Sequence, residues 1–286
     1  MWPKPIGVSN DKGNGGGIVG ALFGLAVAGA VLFASFCSML PIGGFGLTVW
    51  DTSTIKVLQT HKNFLINFPV QAVAYSADGT RLAQLSDTFK EPEIKIRDAG
   101  TGKQTVVLPL QRGVDSIALN ADGSRLALPS VPSDEGLPSI AIWNLATGKK
   151  EKNLAGSFPH SLSFCPDGRH LAQATVWFEH KQVNSEVKVW DLDQGERVHS
   201  FPPLAGQIAL IAFSPDGQRL IAVTNTQARI WDLAKAKEFL TFSLPTGFRK
   251  AALSGNGKRL AVAGQDGAIT IWDVERGQEM MNLKGL

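Results

Sequence analysis

From residue 47 onward, hydrophobic residues fall in short runs broken by turn-forming pairs, and the pattern repeats. An apolar run such as IALIAF (208–213) leads to an Asp-Gly or Asn-Gly dipeptide, at 78–79, 122–123, 167–168, 216–217 and 256–257. A second run follows (RLIAV, 219–223), then one closing on Trp-Asp (QARIWD, 227–232), then a fourth (KEFLTF, 237–242). Such dipeptides between apolar runs are strong hairpin signals, because their residues adopt the left-handed backbone that a tight turn needs. β-Branched and aromatic residues fill the runs, and no helix-period pattern appears after residue 45. The sequence therefore predicts units of four antiparallel strands, a to d. A single unit leaves both faces wet, whereas units stacked around an axis bury them.

The third run ends on the same phrase each time: Trp50-Asp51, Trp143-Asn144, Trp190-Asp191, Trp231-Asp232 and Trp272-Asp273, with Arg97-Asp98 in one unit. The closing residues 51, 98, 144, 191, 232 and 273 lie 47, 46, 47, 41 and 41 apart. A period in the forties with all-β character indicates a radial array of small sheets. With its repeated Trp-Asp phrase and its "S-P-D-G-x-R-L" turns, the chain resembles the WD40 β-propeller family over residues 41–286. The resemblance implies an all-β, WD40-type β-propeller. It also implies a non-catalytic scaffold for a protein or peptide partner. The Gly-His pair that usually opens such a repeat is missing from every d–a connection here. Counting strands from residue 47 gives five complete blades preceded by a c–d half-blade, whose open edge is a candidate site for pairing with a second copy.

Folding each b–c segment about its turn sets Arg81 opposite Asp98, Arg125 opposite Asn144, His170 opposite Asp191, Arg219 opposite Asp232 and Arg259 opposite Asp273. These pairs are expected to clasp strands b and c, each contributing roughly 0.2–1 kcal/mol. The recurrent Trp is expected to pack between blades. Three b–c connections are longer than the other two by several residues: 86–93, 130–138 and 176–185. In a propeller these loops open on one face, where variable insertions meet partners. The candidate partner-binding residues are Phe89, Glu91, Asp134, Glu135, Trp177, Phe178, Glu179 and His180. The third connection carries Trp177, and tryptophan is enriched at interface hot spots.

The N-terminal portion reads differently. Residues 1–17 are polar and Gly-rich, a flexible tail. Residues 18–40 contain no charged side chain. A helix of that length, at about 1.5 Å per residue, spans a hydrocarbon core of about 30 Å. The expectation is a single transmembrane helix ended by Pro41 and Gly43-Gly44, with Gly20, Gly24 and Ala28 on one face as a second candidate self-association surface. Two other readings of the run are a cleaved signal peptide, with Ala28-Gly29-Ala30 as cleavage site, and a buried strand at VLFASF (31–36). Lys4 and Lys12 precede the run and the next basic residue is Lys56, which leans towards an N-terminus on the inside.

Composition removes several function classes. The net charge is +3 and basic residues are scattered, so no electrostatic footprint for nucleic acid exists. Cys37 and Cys165 are two cysteines far apart, not a disulfide framework. His61, His160, His170, His180 and His199 never form HxH or HExxH, so their spacing points to no metal and no cofactor. No nucleophile elbow, phosphate loop or paired-carboxylate motif occurs. The competing function class is an exported propeller that binds a small ligand, or carries hydrolytic chemistry, in its central channel.

Overall fold

The computed structural model describes residues 22–23, 26–27, 30–35, 46–51, 56–62, 70–86, 92–110, 114, 116–130, 138–180, 182–245, 248–264 and 268–283, with side chains from residue 72 onward apart from a few positions. All secondary-structure elements among them are β-strands. Five consecutive blades each contain four antiparallel strands in sequence order. Blade 1 comprises Val70–Tyr75, Arg81–Ser86, Glu93–Asp98 and Gln104–Pro109, and blade 2 comprises Ala118–Leu119, Arg125–Ser130, Ser139–Asn144 and Lys149–Ala155. Blade 3 comprises Ser161–Phe164, His170–Glu179, Gln182–Asp191 and Glu196–Ser200. Blade 4 comprises Ile208–Phe213, Arg219–Thr224, Gln227–Asp232 and Lys237–Ser243, and blade 5 comprises Phe248–Leu253, Arg259–Gly264, Ile269–Asp273 and Gln278–Leu283. The a strands of successive blades lie side by side.

Each sheet is buried on both faces, which explains why strands b and c read as nearly unbroken apolar runs. In blade 2, Leu126, Leu128 and Ala141 join Leu85, Ile94 and Ile96 of blade 1. Their alternating neighbours Ala127, Ile140 and Ile142 join Leu162, Phe164 and Leu171 of blade 3. The same alternation fills the gaps between blades 3 and 4 and between blades 4 and 5. The d strands form the outer edge, and Lys149–Ala155 is mostly exposed.

The expected Trp packing is what the structure shows. Trp143, Trp190, Trp231 and Trp272 sit opposite Leu126, Leu171, Leu220 and Leu260 across the b–c pair. Each Leu–Trp pair faces the preceding blade. Trp231 stacks on Phe201, centroids 4.4 Å apart, and Trp272 stacks on Phe242 at 5.3 Å. Trp190 Nε1 donates to Gln173 Oε1 (2.9 Å), whose amide in turn donates to Ser157 O (2.6 Å).

The N-terminal portion adds further strands. The described residues of the apolar run 18–40 are strand: Leu22–Phe23, Ala26–Val27 and Ala30–Ser35. No helix among the described residues is long and apolar enough to cross a membrane. Nor is the half-blade edge open. Gly46–Asp51, carrying Trp50 and Asp51, pairs on one side with Lys56–Lys62 and on the other with Ala30–Ser35, in the register Ala30↔Asp51 to Phe33↔Thr48. The physical reason is that an exposed strand edge needs backbone partners. A strand covered on both faces must also be as free of charge as a membrane helix, so hydropathy does not separate the two. Gly20, Gly24 and Ala28, and the 1–17 tail, lie outside the described residues.

Candidate interaction face

The register expected for the b–c hairpins is found in all five blades. The clasp is not. Arg81 Nη1 donates to Gly123 O of the next blade (3.3 Å), Arg125 pairs with Glu151, and the Arg219 guanidinium lies 3.9 Å over the Phe239 ring. In blade 3 it is Arg169, not His170, that binds Asp191, through Nε (3.0 Å) and Nη2 (2.7 Å).

The closing carboxylates serve the c–d turn instead. Asp98 Oδ1 accepts from Thr101 N–H (2.7 Å). Asn144 Oδ1 accepts from Ala146 and Thr147 N–H, Asp191 Oδ1 from Asp193 and Gln194, Asp232 Oδ1 from Lys235, and Asp273 Oδ1 from Glu275 and Arg276. A carboxylate two or three residues before free backbone donors reaches them without a long side chain having to be ordered. In Asp98, Asp191 and Asp232 the bonds favour the ionised form. Arg169, donating twice to Asp191 Oδ2, draws Asp191 down to about 2, Thr101 lowers Asp98, and the Lys235 amide lowers Asp232. Four residues after each closing residue the backbone turns left-handed, at Gly102, Gly148, Gly195, Ala236 and Gly277. Ala236, with φ 50°, carries a Cβ where its four counterparts have none. We predict that Ala236→Gly raises stability by about 0.5–1 kcal/mol, the relief of left-handed strain less the added freedom of the unfolded chain, measurable by denaturant unfolding.

Among the described residues, blade 3 projects furthest on the face where the b–c connections open. Its b and c strands have ten residues each, against six in blade 4. Pairing is continuous from His170↔Asp191 to Glu179↔Gln182, so the insertion is an extended hairpin and not a loop. Four more residues per strand lift its tip by roughly 13 Å. The turn is made at His180, whose φ is 47°.

The extension is braced. The d–a connection pairs with it, Asn184↔Ala205 and Ser185↔Leu204. Ser185, fully buried, donates its hydroxyl to Gly206 O (2.8 Å) and accepts from Ile208 N–H (3.1 Å), and Gly206 N–H donates to Val183 O (2.8 Å). Above this brace Phe178 is 79% exposed. It pairs with Val183 and shares a face with Val176, Ala174 and Ala172, which pack towards blade 4. Trp177, half-buried, faces the other way, so the two aromatics do not pack on each other. Glu179 and His180 are exposed at the tip. Phe89, Glu91, Asp134 and Glu135 lie outside the described residues.

The fold also assembles a cluster that the histidine spacing does not suggest. Cys165, Asp167 and His170, at the a–b turn of blade 3, bring a thiol, a carboxylate and an imidazole nitrogen within 4.8 Å of one another. A comparison of the five units position by position finds it, because the other four have Ser or Asn in place of the Cys and Arg in place of the His.

Comparison with known proteins follows this architecture. The family model "WD domain, G-beta repeat" matches residues 196–232 and 242–273. Those stretches run from a d strand to the c strand of the next blade, in blades 3–4 and 4–5. Pre-mRNA-processing factor 19 homolog 2 of Arabidopsis thaliana is 30% identical over 106 residues, covering 37% of this chain and 19% of its own length. WD repeat-containing protein VIP3 of Arabidopsis thaliana is 26% identical over 198 residues, 60% of each chain. WD repeat-containing protein SL1-17 of Schistosoma mansoni is 30% identical over 169 residues, 58% of this chain and 52% of its own length. The chain thus spans between 19% and 60% of the length of these relatives. Its last two blades carry WD repeats by sequence, and the same four-stranded pattern, with its Trp or Arg and its turn-capping Asp or Asn, extends through the three blades before them.

Proposed function

We propose that this chain is a non-catalytic interaction platform whose protein or peptide partner is gripped by the blade 3 hairpin. One observation carries the reading: an exposed phenylalanine, Phe178, stands on a hairpin braced by the neighbouring connection. A large apolar side chain held rigidly in water loses little freedom on binding, and its burial favours association. The similarity to WD-repeat proteins supports the same class of role. Phe178→Ala is expected to weaken partner binding by at least about 30-fold, the scale of a hot-spot residue, with no change in melting temperature. Equal retention of partners by the variant and the parent chain, in affinity capture from a detergent extract, would count against this hairpin.

Attachment of the chain to a membrane through residues 18–40, with the N-terminus inside, is the localisation that goes with this reading. Its support is a run of 23 residues without a charge, preceded by Lys4 and Lys12. This use excludes the pairing of Ala30–Ser35 with Gly46–Asp51. Alkaline carbonate extraction of membranes distinguishes the two. An anchored chain stays in the pellet, and a chain whose run belongs to the sheet is released.

A further inference from the structure

In each blade the a–b turn is built on three residues. In blades 1 and 4 they are Ser76, Asp78 and Arg81, and Ser214, Asp216 and Arg219. Ser76 Oγ donates to Asp78 Oδ1 (2.6 Å) and accepts from Arg81 N–H (2.9 Å), and Ser214 does the same with Asp216 and Arg219. Blade 5 repeats the arrangement with Ser254 and Asn256. Asn120 performs the accepting role in blade 2, bonding Arg125 N–H. The side chains of Arg81, Arg125 and Arg219 leave the turn for other partners.

Blade 3 replaces both ends of this arrangement at once, with Cys165 for Ser and His170 for Arg. The turn is rewired accordingly. His170 N–H donates to Asp167 Oδ1 (3.0 Å), as does Arg169 N–H (2.8 Å), so one carboxylate oxygen takes both amides that Asp and Ser share in blades 1 and 4. The other oxygen, Oδ2, lies 2.6 Å from His170 Nδ1. Cys165 Sγ is buried beneath them, with Gly217 O of blade 4 at 4.0 Å. Side chains of His170 and Asp167 remain 32% and 42% exposed, so the cluster is closed by protein below and open to solvent above.

We propose that Cys165, Asp167 and His170 form a three-ligand site for a divalent cation of the zinc type. Sulfur, imidazole and carboxylate are the donors such an ion takes, at about 2.3, 2.0–2.1 and 2.0–2.2 Å, with solvent in a fourth position. Tetrahedral bonds of those lengths set donors about 3.3–3.7 Å apart, inside the 4.8 Å limit of the cluster. Entry of the ion widens the contact between Nδ1 and Oδ2 and sends the thiol proton to solvent. Thiolate and carboxylate then balance the two positive charges, and the neutral imidazole completes the set. Binding therefore tightens as pH rises. The ion would pin the a–b turn of blade 3 beside blade 4, a staple at the opposite end of the b strand from the extended hairpin.

Cobalt(II) titration of the purified full-length chain, stripped with chelator and kept reduced, tests the site. The expected result is one equivalent bound with a thiolate-to-cobalt charge-transfer band, together with a zinc-dependent rise in melting temperature. Cys165→Ser and His170→Arg restore residues that other blades carry at these positions, so both variants keep the turn. Each is expected to weaken cobalt binding by more than about 100-fold, beyond the loss typical of an outer-shell change. Cys37→Ser is expected to leave the band unchanged. Absence of a thiolate band at saturating cobalt, its survival in Cys165→Ser, or its loss in Cys37→Ser would each overturn the proposal.

Discussion

Replacing Trp231 by Ala lowers stability by about 3–5 kcal/mol, the cost of emptying a large aromatic site in a packed core. For a domain of this size that is a fall in melting temperature of roughly 6–20 °C. Trp231 is 1% exposed, pairs with Leu220 across its own sheet, and lies on the Phe201 ring at the end of blade 3. Its loss opens a gap in the apolar cluster between two sheets, and a stacked array depends on such interfaces. Trp272 is half-buried and faces Phe242 nearer the rim, so Trp272→Ala is expected to cost less. Thermal unfolding of the two variants side by side checks the order. An equal and small effect would mean that the Trp-Asp phrase does not tie blades together.

The second large effect lies at the brace of the blade 3 hairpin. Ser185→Ala strands the buried Ile208 N–H and removes a donor from Gly206 O, which is only partly buried. An unsatisfied buried donor costs about 1–3 kcal/mol, and water can reach Gly206 O, so the expected loss is about 1–3 kcal/mol. The consequence is local as well as global. Residues 176–183 above the brace are expected to exchange their amide hydrogens faster, while the short hairpin of blade 4 is unaffected. Uniform loss of protection across the blades would show that Ser185 supports the whole stack and not the hairpin in particular.

How much of this was legible in the sequence depends on which atoms are asked about. Strand order, the b–c register and the inter-blade position of the tryptophans follow from turn dipeptides and the repeat. They are properties of the backbone and of apolar burial, and both leave a periodic trace. The fate of the paired charges does not. Arg219 faces Asp232 in register, yet Asp232 Oδ1 takes the Lys235 amide close by in the chain and Arg219 lies on the Phe239 ring. A short carboxylate beside unbonded turn amides has a nearer partner than a flexible guanidinium across the strands. That outcome had a sequence signal, the Gly four residues after the closing Asp or Asn in four of the five units. The apolar run 18–40 was ambiguous for another reason, since freedom from charge suits a lipid-exposed helix and a strand covered on both sides equally. The cluster of Cys165, Asp167 and His170 was hidden because no single histidine spacing betrays it. It stands out when the five turns are aligned and one is seen to have changed at two positions together.

The hairpin itself shows the same division. Its excess length was countable, but whether those residues formed a loop or a braced ribbon depended on Leu204–Ala205, a connection with no strand signature of its own. That connection turns a variable insertion into a rigid mount for Phe178.

The most direct measurement is site-specific photo-crosslinking from a benzophenone side chain at position 178, compared with the same side chain at Met280 on the exposed outer strand of blade 5. The account predicts a discrete crosslinked partner from position 178, abolished by competing excess of the unlabelled parent chain but not of Phe178→Ala, and none from position 280. A partner captured equally from both positions, or from 280 alone, would contradict it.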